Sequence, residues 1–179
     1  MTNEFVLETI KEHFAEGILH TEESFGMLNI TVTKDLVLPM LHFLNKDERL
    51  GFNFLTDLCG IHYPDNKGAE LGVIYHVHNM ALNHRIRIKA FLPIENPSIK
   101  TACNLYSAAN WMERETFDFF GIIFEGHPNL KRILNMDEMT VHPMRKEFPL
   151  EDPFRTDKED RFFGRTQNNE ALINPVHGA

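Results

Sequence analysis

The chain has 179 residues, of which 42% are hydrophobic and 25% are charged, and its formal net charge at pH 7 is −8. This balance is that of a soluble globular protein with room for one domain and an appended segment. The negative charge argues against non-specific binding to nucleic acid and to anionic membrane surfaces, since both rely on a surplus of lysine and arginine.

The first half of the chain predicts two helices and a strand. Residues 4–16 have the spacing of an amphipathic helix, with Asn3 as its cap and Gly17 as its end. Residues 27–33 alternate between apolar and polar side chains, which is typical of a half-buried strand. A second helix is expected from about Pro39 to Asn45, because proline is tolerated in a first helical turn. Residues 52–59 are apolar around an embedded Asp57, and their state is ambiguous.

The clearest period-two pattern lies in the middle of the chain. Residues 71–78 and 84–92 predict a β-hairpin. In the second strand, apolar side chains at 86, 88 and 90 alternate with basic ones: Ile86, Ile88 and Ala90 against Arg85, Arg87 and Lys89. One face of this sheet is therefore expected to meet solvent or a partner.

A long helix is expected next, opened by Ser98 as its cap and ended by Gly121. Its apolar stripe would be Ile99, Ala102, Tyr106, Ala109 and Met112. Two turn-rich segments follow, and the sequence from about Leu150 is charged and lacks periodicity. The prediction is an α+β domain over residues 1–150, with a mixed or antiparallel sheet packed by helices, followed by an extended C-terminal tail over residues 151–179.

The chain contains 10 histidines, which raises the possibility of a metal site. His76 and His78 are two residues apart on a predicted strand, so both side chains leave the same face. No third ligand stands at a telling spacing, and two histidines on a wet sheet face explain the pattern more simply. His127 and His142 each precede a proline, a setting in which histidine commonly anchors a turn.

The densest cluster of charge is at residues 113–118. Glu113, Glu115 and Asp118 could act as acid and base, but Arg114 and Asp118 are four residues apart on a helix and can pair. We favour an ion-pair network, within the chain or across an interface. Arg145 and Lys146 lie between prolines, a setting that suits presenting an arginine to a fixed carboxylate. The glycine-rich nucleotide loops and the G-x-S-x-G motif of hydrolases do not occur in the sequence.

The two cysteines, Cys59 and Cys103, limit the redox chemistry of the chain. An iron–sulfur cluster generally needs about four thiolates, so this chain cannot hold one alone. The N-terminal residues lack the basic region and the apolar core of a signal peptide. No apolar run approaches the roughly 18–20 residues that span a bilayer. A cytoplasmic location with reduced thiols is the default expectation.

Residues 109–134 resemble the signature of the C subunit, or 30 kDa subunit family, of the proton-pumping NADH:quinone oxidoreductase, respiratory complex I. The family pattern is E-R-E, two residues, D, one residue, F-G-I, one residue, F, one residue, G-H-P, one residue, L, one residue, R-I-L, and every fixed position is matched. The signature and interface residues that the resemblance and its setting suggest are Glu113, Arg114, Glu115, Asp118, Gly121, Gly126, His127, Pro128, Arg132, His142, Pro143, Arg145 and Lys146.

Weaker similarity extends the resemblance to roughly residues 25–150. It includes the segment that begins at Phe52 and continues through Leu55, Asp57, Leu58 and Gly60. The chain departs from the family at three positions: His62 stands where many members have Asp, Val141 replaces a Gly, and Glu147 replaces a usual Asp.

The resemblance implies a non-catalytic, structural member of a peripheral arm, on the cytoplasmic side of a cell inner membrane. It implies contact with the D subunit and also with the B and I subunits, with membrane association only through the complex. It implies no cofactor in this chain, with FMN and iron–sulfur clusters held by partner subunits. The charged composition of the tail, apart from the resemblance, leaves little to bury, so we expect the tail to order only in the assembly, where Phe154, Phe162 and Phe163 would dock on partners.

Two other functions remain open at this point. The chain could be the equivalent subunit of a membrane-bound nickel–iron hydrogenase or of a ferredoxin- or F420-type dehydrogenase, which the resemblance alone does not separate. A remote alternative of another class is a stand-alone metal-dependent enzyme that uses His76, His78 and the acids of residues 113–118.

Overall fold

The structure, a computed structural model, describes residues 1–148. The expected tail over residues 151–179 lies outside the described residues. In chain order the elements are α1 (Asn3–Phe14), β1 (Ile18–Ser24), β2 (Met27–Val32), α2 (Lys34–Lys46), β3 (Phe54–His62), β4 (Leu71–Asn79), β5 (His84–Leu92), β6 (Ser98–Lys100), α3 (Ala109–Phe120) and β7 (Ile123–Glu125).

A five-stranded sheet in the order β1-β2-β5-β4-β3 forms the centre of the fold. Its neighbouring strands are antiparallel except for β2 and β5, which are parallel. A separate two-stranded parallel sheet joins β6 to β7. The predicted α+β class, with a mixed sheet packed by helices, is confirmed, and so is the hairpin of β4 and β5.

The core lies on one face of the large sheet. Alternate residues of the central strands are fully buried there, among them Ile30, Tyr75 and Ile88. Helix α2 packs on β5, and α3 packs on β3. The opposite face carries the polar partners that the alternation predicts, and Arg87 donates hydrogen bonds there to His76 and to Asn29.

Both N-terminal helices are present, but their starts differ from the prediction. The cap of α1 is Thr2, whose Oγ1 accepts a hydrogen bond from the backbone N–H of Phe5 at 3.3 Å, and Asn3 is the first helical residue. Helix α2 begins at Lys34, so Pro39 lies inside it. Because Pro39 has no N–H, the carbonyl of residue 35 lacks its intrahelical hydrogen bond. The packing of the apolar face of α2 in the core offsets the cost of this loss.

The predicted helix from Ser98 to Gly121 is wrong in its first half. Residues 98–100 form strand β6, and the helix begins only at Ala109. The stripe residues Ile99, Ala102 and Tyr106 are buried as expected, but they lie on strand β6 and in the connection between β6 and α3. Hydrogen bonds with β7 satisfy backbone N–H and C=O groups of residues 98–100. This pairing is between distant parts of the chain, so local residue propensities do not predict it. The ambiguous residues 52–59 contribute most of their length to β3.

Candidate functional site

The signature residues meet at the carboxyl end of α3. Gly121 ends the helix with φ 76°, a left-handed conformation that glycine adopts without strain, and its N–H donates to the carbonyl of Phe117. A Cβ at this position would lie 2.6 Å from the ring of His142 and 2.7 Å from Nη2 of Arg145. The turn therefore requires glycine for its backbone and for the close approach of the segment that packs over it.

Asp118 is the centre of the site. Its side chain is fully buried, and its carboxylate accepts five hydrogen bonds. Oδ2 receives the backbone N–H groups of three successive residues, 133, 134 and 135, at 2.9 to 3.1 Å. Oδ1 receives Nη1 of Arg132 at 2.7 Å and the amide of Asn135 at 3.0 Å. One carboxylate thus fixes the chain that follows the helix.

The protonation state of Asp118 follows from these contacts. Burial alone would raise its pKa, but the backbone N–H groups of Asn135 and Leu134 and the guanidinium of Arg132 favour the charged form. The net result is that the pKa of Asp118 lies well below its ordinary value of 3.8. The group is a permanent anion that holds donors in place, which does not suit an acid or base in catalysis.

The chain that follows α3 also supplies hydrogen-bond donors to the carbonyl groups at the end of this helix. An α-helix leaves its last four carbonyls without intrahelical partners. Here each of the four has one. Gly121 N–H reaches Phe117 O; Arg132 Nη1 and His142 Nδ1 reach Asp118 O; Met144 N–H reaches Phe119 O; and Arg145 Nε reaches Phe120 O. Two of these donors are guanidinium groups, which the negative end of the helix dipole also favours.

The predicted pair between Arg114 and Asp118 is wrong. Arg114 donates instead to the backbone carbonyls of Lys131 and Arg132, at 3.2 and 3.0 Å, and its guanidinium lies 5.2 Å from the ring centre of Trp111. Arg132 takes the carboxylate, and its Nη2 continues to the carbonyls of Met139 and Val141. The four-residue spacing places Arg114 within reach of Asp118, but Arg132, from outside the helix, binds the carboxylate instead.

Glu113 anchors the other end of α3. It is fully buried and accepts hydrogen bonds from the Thr101 hydroxyl at 2.5 Å, the Ala102 N–H at 2.7 Å and the Cys103 thiol at 3.4 Å. Burial raises the pKa of Glu113, and these hydrogen bonds oppose that rise. A carboxyl group closed off from solvent in this way ties α3 to the end of β6.

The other signature residues divide into internal and exposed groups. His127 is internal, since its Nδ1 accepts the N–H of Asn129 and its Nε2 contacts the carbonyl of Asn110 at 3.1 Å. Pro143 is half-buried. The backbone N–H of Lys146 donates to Nδ1 of His62 at 2.9 Å, while the Lys146 side chain is exposed. The remaining exposed positions are Glu115, Gly126 and Pro128.

In residues 1–148, the structure does not place His76 and His78 in one group of potential metal ligands. Two groups have metal-ligand chemistry, Asp57–Cys59–His76 and Cys103–Glu113–His127, and neither contains both His76 and His78. Arg87 Nε donates to Nε2 of His76 at 2.8 Å. A neutral His76 ring therefore carries its proton on Nδ1, the nitrogen nearest Asp57 at 3.7 Å. Nε2 of His76 and both ring nitrogens of His127 make hydrogen bonds, whereas Nδ1 of His76 is buried without a hydrogen-bond partner.

Sequence reasoning misses several residues of the site. Asn135 donates to Asp118 with both its backbone and its side chain, and Thr101 donates to Glu113. The N–H of Met144 caps α3. Backbone donors have no sequence signal, because every residue except proline carries one. Only the turn-rich character of residues 126–148 could have indicated that this backbone needed partners.

Comparison with known proteins identifies a family. Residues 30–154 match the model of the family described as respiratory-chain NADH dehydrogenase, 30 Kd subunit. A protein of Citrifermentans bemidjiense, named as the C subunit of NADH-quinone oxidoreductase, is 41% identical over 146 residues, which are 82% of this chain and 89% of the relative. A Roseiflexus protein of the same name is 38% identical over 91% of this chain and 94% of its own length. A Nocardioides relative is 43% identical over 70% of this chain, and the match spans 50% of that relative's length.

Two solved structures are also similar. A trypsin-resistant fragment of Nqo5, residues 1–134, is 32% identical with a TM-score of 0.60, and the match covers 73% of this chain and all of the fragment. The membrane-bound sulfane sulfur reductase, an archaeal respiratory membrane complex, contains a chain that is 24% identical with a TM-score of 0.69. That match covers 82% of this chain and 85% of the other. The second likeness is one of fold.

Proposed function

This chain belongs to the 30 kDa subunit family of the respiratory-chain NADH dehydrogenase, and we propose that it serves assembly rather than catalysis as the C subunit of such an enzyme. The whole enzyme would pass electrons from NADH through FMN and iron–sulfur clusters, held by other subunits, to quinone, coupled to proton translocation. The chain would lie in the peripheral arm on the cytoplasmic side of the inner membrane. Its chief partner would be the D subunit, with the B and I subunits as further neighbours.

The observation that carries this proposal is the engagement of the charged signature residues. Asp118, Arg132, Arg114 and Arg145 make charge-assisted hydrogen bonds to one another or to backbone carbonyls of the same domain. Charged groups that are engaged in this way stabilise one conformation of the domain, since removing one partner from a desolvated pair costs roughly 3–5 kcal/mol. In this conformation residues 126–148 are packed against α3.

The exposed residues of the signature suggest that this conformation presents a surface to a partner subunit. Glu115 and Lys146 present their charges to solvent. Large apolar side chains on the same elements are also exposed, namely Trp111 at 62%, Leu134 at 65% and Met136 at 71%. Aromatic and methionine side chains are favoured at protein interfaces. We therefore assign the exposed surface of α3 and residues 126–148 to contact with the D subunit.

No helix in residues 1–148 combines the length and the apolar character needed to cross a membrane. Under the proposal, attachment to the membrane comes from partner subunits. Washing isolated membranes with a chaotrope should release the chain together with the peripheral arm.

The central test separates assembly from turnover. Arg145→Glu places a carboxylate beside the carbonyl of Phe120 and should lower the amount of assembled complex on native gels. NADH:quinone reductase activity, normalised to that amount, should stay near wild type. Lys46→Glu is the matched control, because it reverses a charge at an exposed position on α2. A fully assembled Arg145→Glu complex without turnover would contradict the proposal.

A second measurement addresses cofactors. The purified chain should be colourless and should contain neither flavin nor iron at a stoichiometric level, because its two cysteines cannot supply the thiolates of a cluster. One flavin or one cluster per chain would contradict this expectation. Oxidation of NADH by the purified complex, in place of hydrogen or ferredoxin, separates the proposed enzyme from the hydrogenase and ferredoxin-type alternatives.

A further inference from the structure

Strand β1 forms one edge of the large sheet, and within residues 1–148 it pairs with β2 alone. The strand at the opposite edge, β3, packs against α3. An edge strand directs a row of unpaired backbone N–H and C=O groups away from its sheet, and these groups can bind another strand. The free edge of β1 is therefore a potential binding surface of this domain.

The turn between β1 and β2 establishes the hydrogen-bonding pattern of the hairpin. Phe25 and Gly26 form a two-residue loop, and both have positive φ, as a type I′ turn requires. The pair that closes such a turn, Ser24 with Met27, is hydrogen-bonded. Bonded and non-bonded pairs then alternate along an antiparallel ladder.

This alternation identifies the residues of β1 whose backbone groups are free. Ser24 and Glu22 belong to bonded pairs and direct their N–H and C=O groups to β2. Thr21 and Glu23 belong to the pairs between them, so their N–H and C=O groups point away from β2, to the free edge.

A groove runs along this edge, between β1 and α1. Two cavities, of about 430 Å³ and about 180 Å³, lie there end to end, since Thr21 lines both of them. The opposite wall consists of residues on one face of α1 and its C-terminal end, three or four positions apart: Glu4, Leu7, Lys11 and Ala15. A strand added to β1 would place every second side chain in this groove.

The charges of the groove differ between its two ends. Glu4 and Glu23 line the end beside the hairpin turn, and within residues 1–148 neither has a salt-bridge partner. Lys11 lines the other end, and the apolar side chain of Leu7 lies between. The groove therefore favours a segment with an apolar middle and a lysine or arginine at the hairpin end.

A second copy of this chain fits the edge poorly. If two β1 strands paired antiparallel through Thr21 and Glu23, Glu22 of each copy would lie directly opposite Glu22 of the other. Like charges in that position destabilise a sheet. Each copy also has a net charge of −8. The edge therefore favours a cationic segment from a different chain.

We propose that β1 binds an extended segment of a partner subunit, which adds a strand to the large sheet and places a lysine or arginine beside Glu4 and Glu23. The proposal rests on the assignment of this chain as a subunit of the complex. Backbone hydrogen bonds to Thr21 and Glu23 hold the segment, and the groove beside α1 selects its side chains. This interface lies at the opposite edge of the sheet from α3.

Hydrogen exchange in the isolated full-length chain and in the purified complex tests the proposal. The Thr21 and Glu23 amides should exchange at least about tenfold more slowly in the complex, as expected for a gained hydrogen bond. The Asn29 amide, which faces Glu22 in a bonded pair of the hairpin, is the reference and should be protected in both samples.

The other outcomes of this experiment are distinct. An assembled complex in which Thr21 and Glu23 stay unprotected overturns the proposal and leaves the subunit assignment intact. Absence of the chain from the complex contradicts the assignment, and the proposal with it. Protection already present in the isolated chain also overturns the proposal: a dimeric mass would identify a second copy as the occupant, and a monomeric mass would identify residues 149–179.

Two variants test the backbone and the charge separately. Thr21→Pro removes an N–H at the free edge, where proline is tolerated, and its control Thr21→Val keeps that N–H. Glu23→Lys reverses a charge in the groove, and its control Glu8→Lys reverses an exposed charge of α1 outside the groove.

Thr21→Pro and Glu23→Lys should each lower the amount of assembled complex on native gels several-fold relative to the control. Protection of the Asn29 amide shows that the hairpin of each variant is intact. If Thr21→Pro loses this protection, the comparison of Glu23→Lys with Glu8→Lys decides. Equal amounts of complex for these two variants overturn the proposal.

Discussion

The large sheet and residues 126–148 are two regions of one chain that are stabilised by different forces. The sheet is held by apolar side chains such as Ile30, Tyr75 and Ile88, which are fully buried. Residues 126–148 contain no helix or strand. They are held by hydrogen bonds that converge on the end of α3, chiefly through Asp118 and Arg132.

This difference determines how each region tolerates change. Apolar packing is non-directional, so a substitution costs roughly in proportion to the area and volume removed. A buried carboxylate with five donors is directional, so a change of one atom can leave several groups without partners. The region without regular secondary structure should therefore be the more sensitive to conservative substitution.

The largest expected effect is that of Asp118→Asn. The new amide group would face donors on every side, and Arg132 would lose its counter-charge, which costs roughly 3–5 kcal/mol. Hydrogen exchange should show loss of protection at residues 133–135 while the amides of β4 and β5 remain protected. Asp137→Asn makes the same change at an exposed position and is the control. Simultaneous loss of protection in the sheet would show that the two regions unfold as one unit.

Leu44→Ala tests the opposite side of the comparison. Leu44 is a fully buried residue of α2, and truncation of such a residue costs about 2–5 kcal/mol through lost burial and the cavity left behind. Chemical unfolding should report this loss globally, with no selective exposure of residues 126–148. Selective exposure of that segment would mean that the core and the end of α3 are more tightly coupled than their contacts suggest.

Gly121→Ala should have an intermediate effect. A left-handed conformation costs a non-glycine residue about 1–2 kcal/mol, and the added Cβ would press on His142 and Arg145. Gly26→Ala is a matched control, since Gly26 also has a positive φ but has no atom within 4 Å of an added Cβ. The difference in melting temperature between the two variants isolates the cost of the contact with residues 126–148. Equal losses would mean that this segment moves aside freely.

A pH experiment tests how much His142 contributes to the stability of residues 126–148. Burial lowers the pKa of His142 below its ordinary value of 6.5, so the unfolded chain takes up this proton more readily than the folded one. The stability that His142 contributes is therefore fully present above the unfolded pKa and is lost as the pH falls from there through the lower, folded pKa. His142→Asn keeps a donor for the carbonyl of Asp118 but does not titrate. Urea unfolding at pH 8 and 5.5 should show a smaller loss for this variant than for the wild type, and equal losses would contradict the assignment.

The smallest effect is expected at the sheet surface. Lys89 Nζ lies 3.0 Å from Oε1 of Glu22, but the Glu22 side chain is 46% exposed. Because solvent screens the two charges, such a pair contributes little to stability. Lys89→Ala should therefore change the unfolding free energy far less than Asp118→Asn. A loss as large as that of the buried pair would show that the polar face of the sheet contributes to stability in a way its exposure does not suggest.

The same contrast explains which parts of the structure the sequence can predict. Helix α1, strand β2 and the hairpin of β4 and β5 follow from periodicity, because a layer that buries one face repeats its apolar residues at a fixed interval. The sequence predicts helix where β6 lies, because the spacing of Ile99, Ala102 and Tyr106 fits a helical stripe although other contacts bury them. The signature identifies the end of α3, but not the pairing of Asp118 with Arg132. That pairing depends on a loop whose path has no periodic signal.

The parallel pairing of β2 with β5 has a consequence for synthesis on the ribosome. Asn29 and Arg87, which contact each other across this pair, are separated by 58 residues. The hairpin of β1 and β2 therefore emerges with one edge open and must wait until β5 has been made before the sheet can close across its centre. Since non-local pairing of this kind is slow to form, the growing chain exposes an apolar strand edge during that interval. A ribosome-bound chaperone would have its greatest effect on this protein before Leu92, the last residue of β5, has left the exit tunnel.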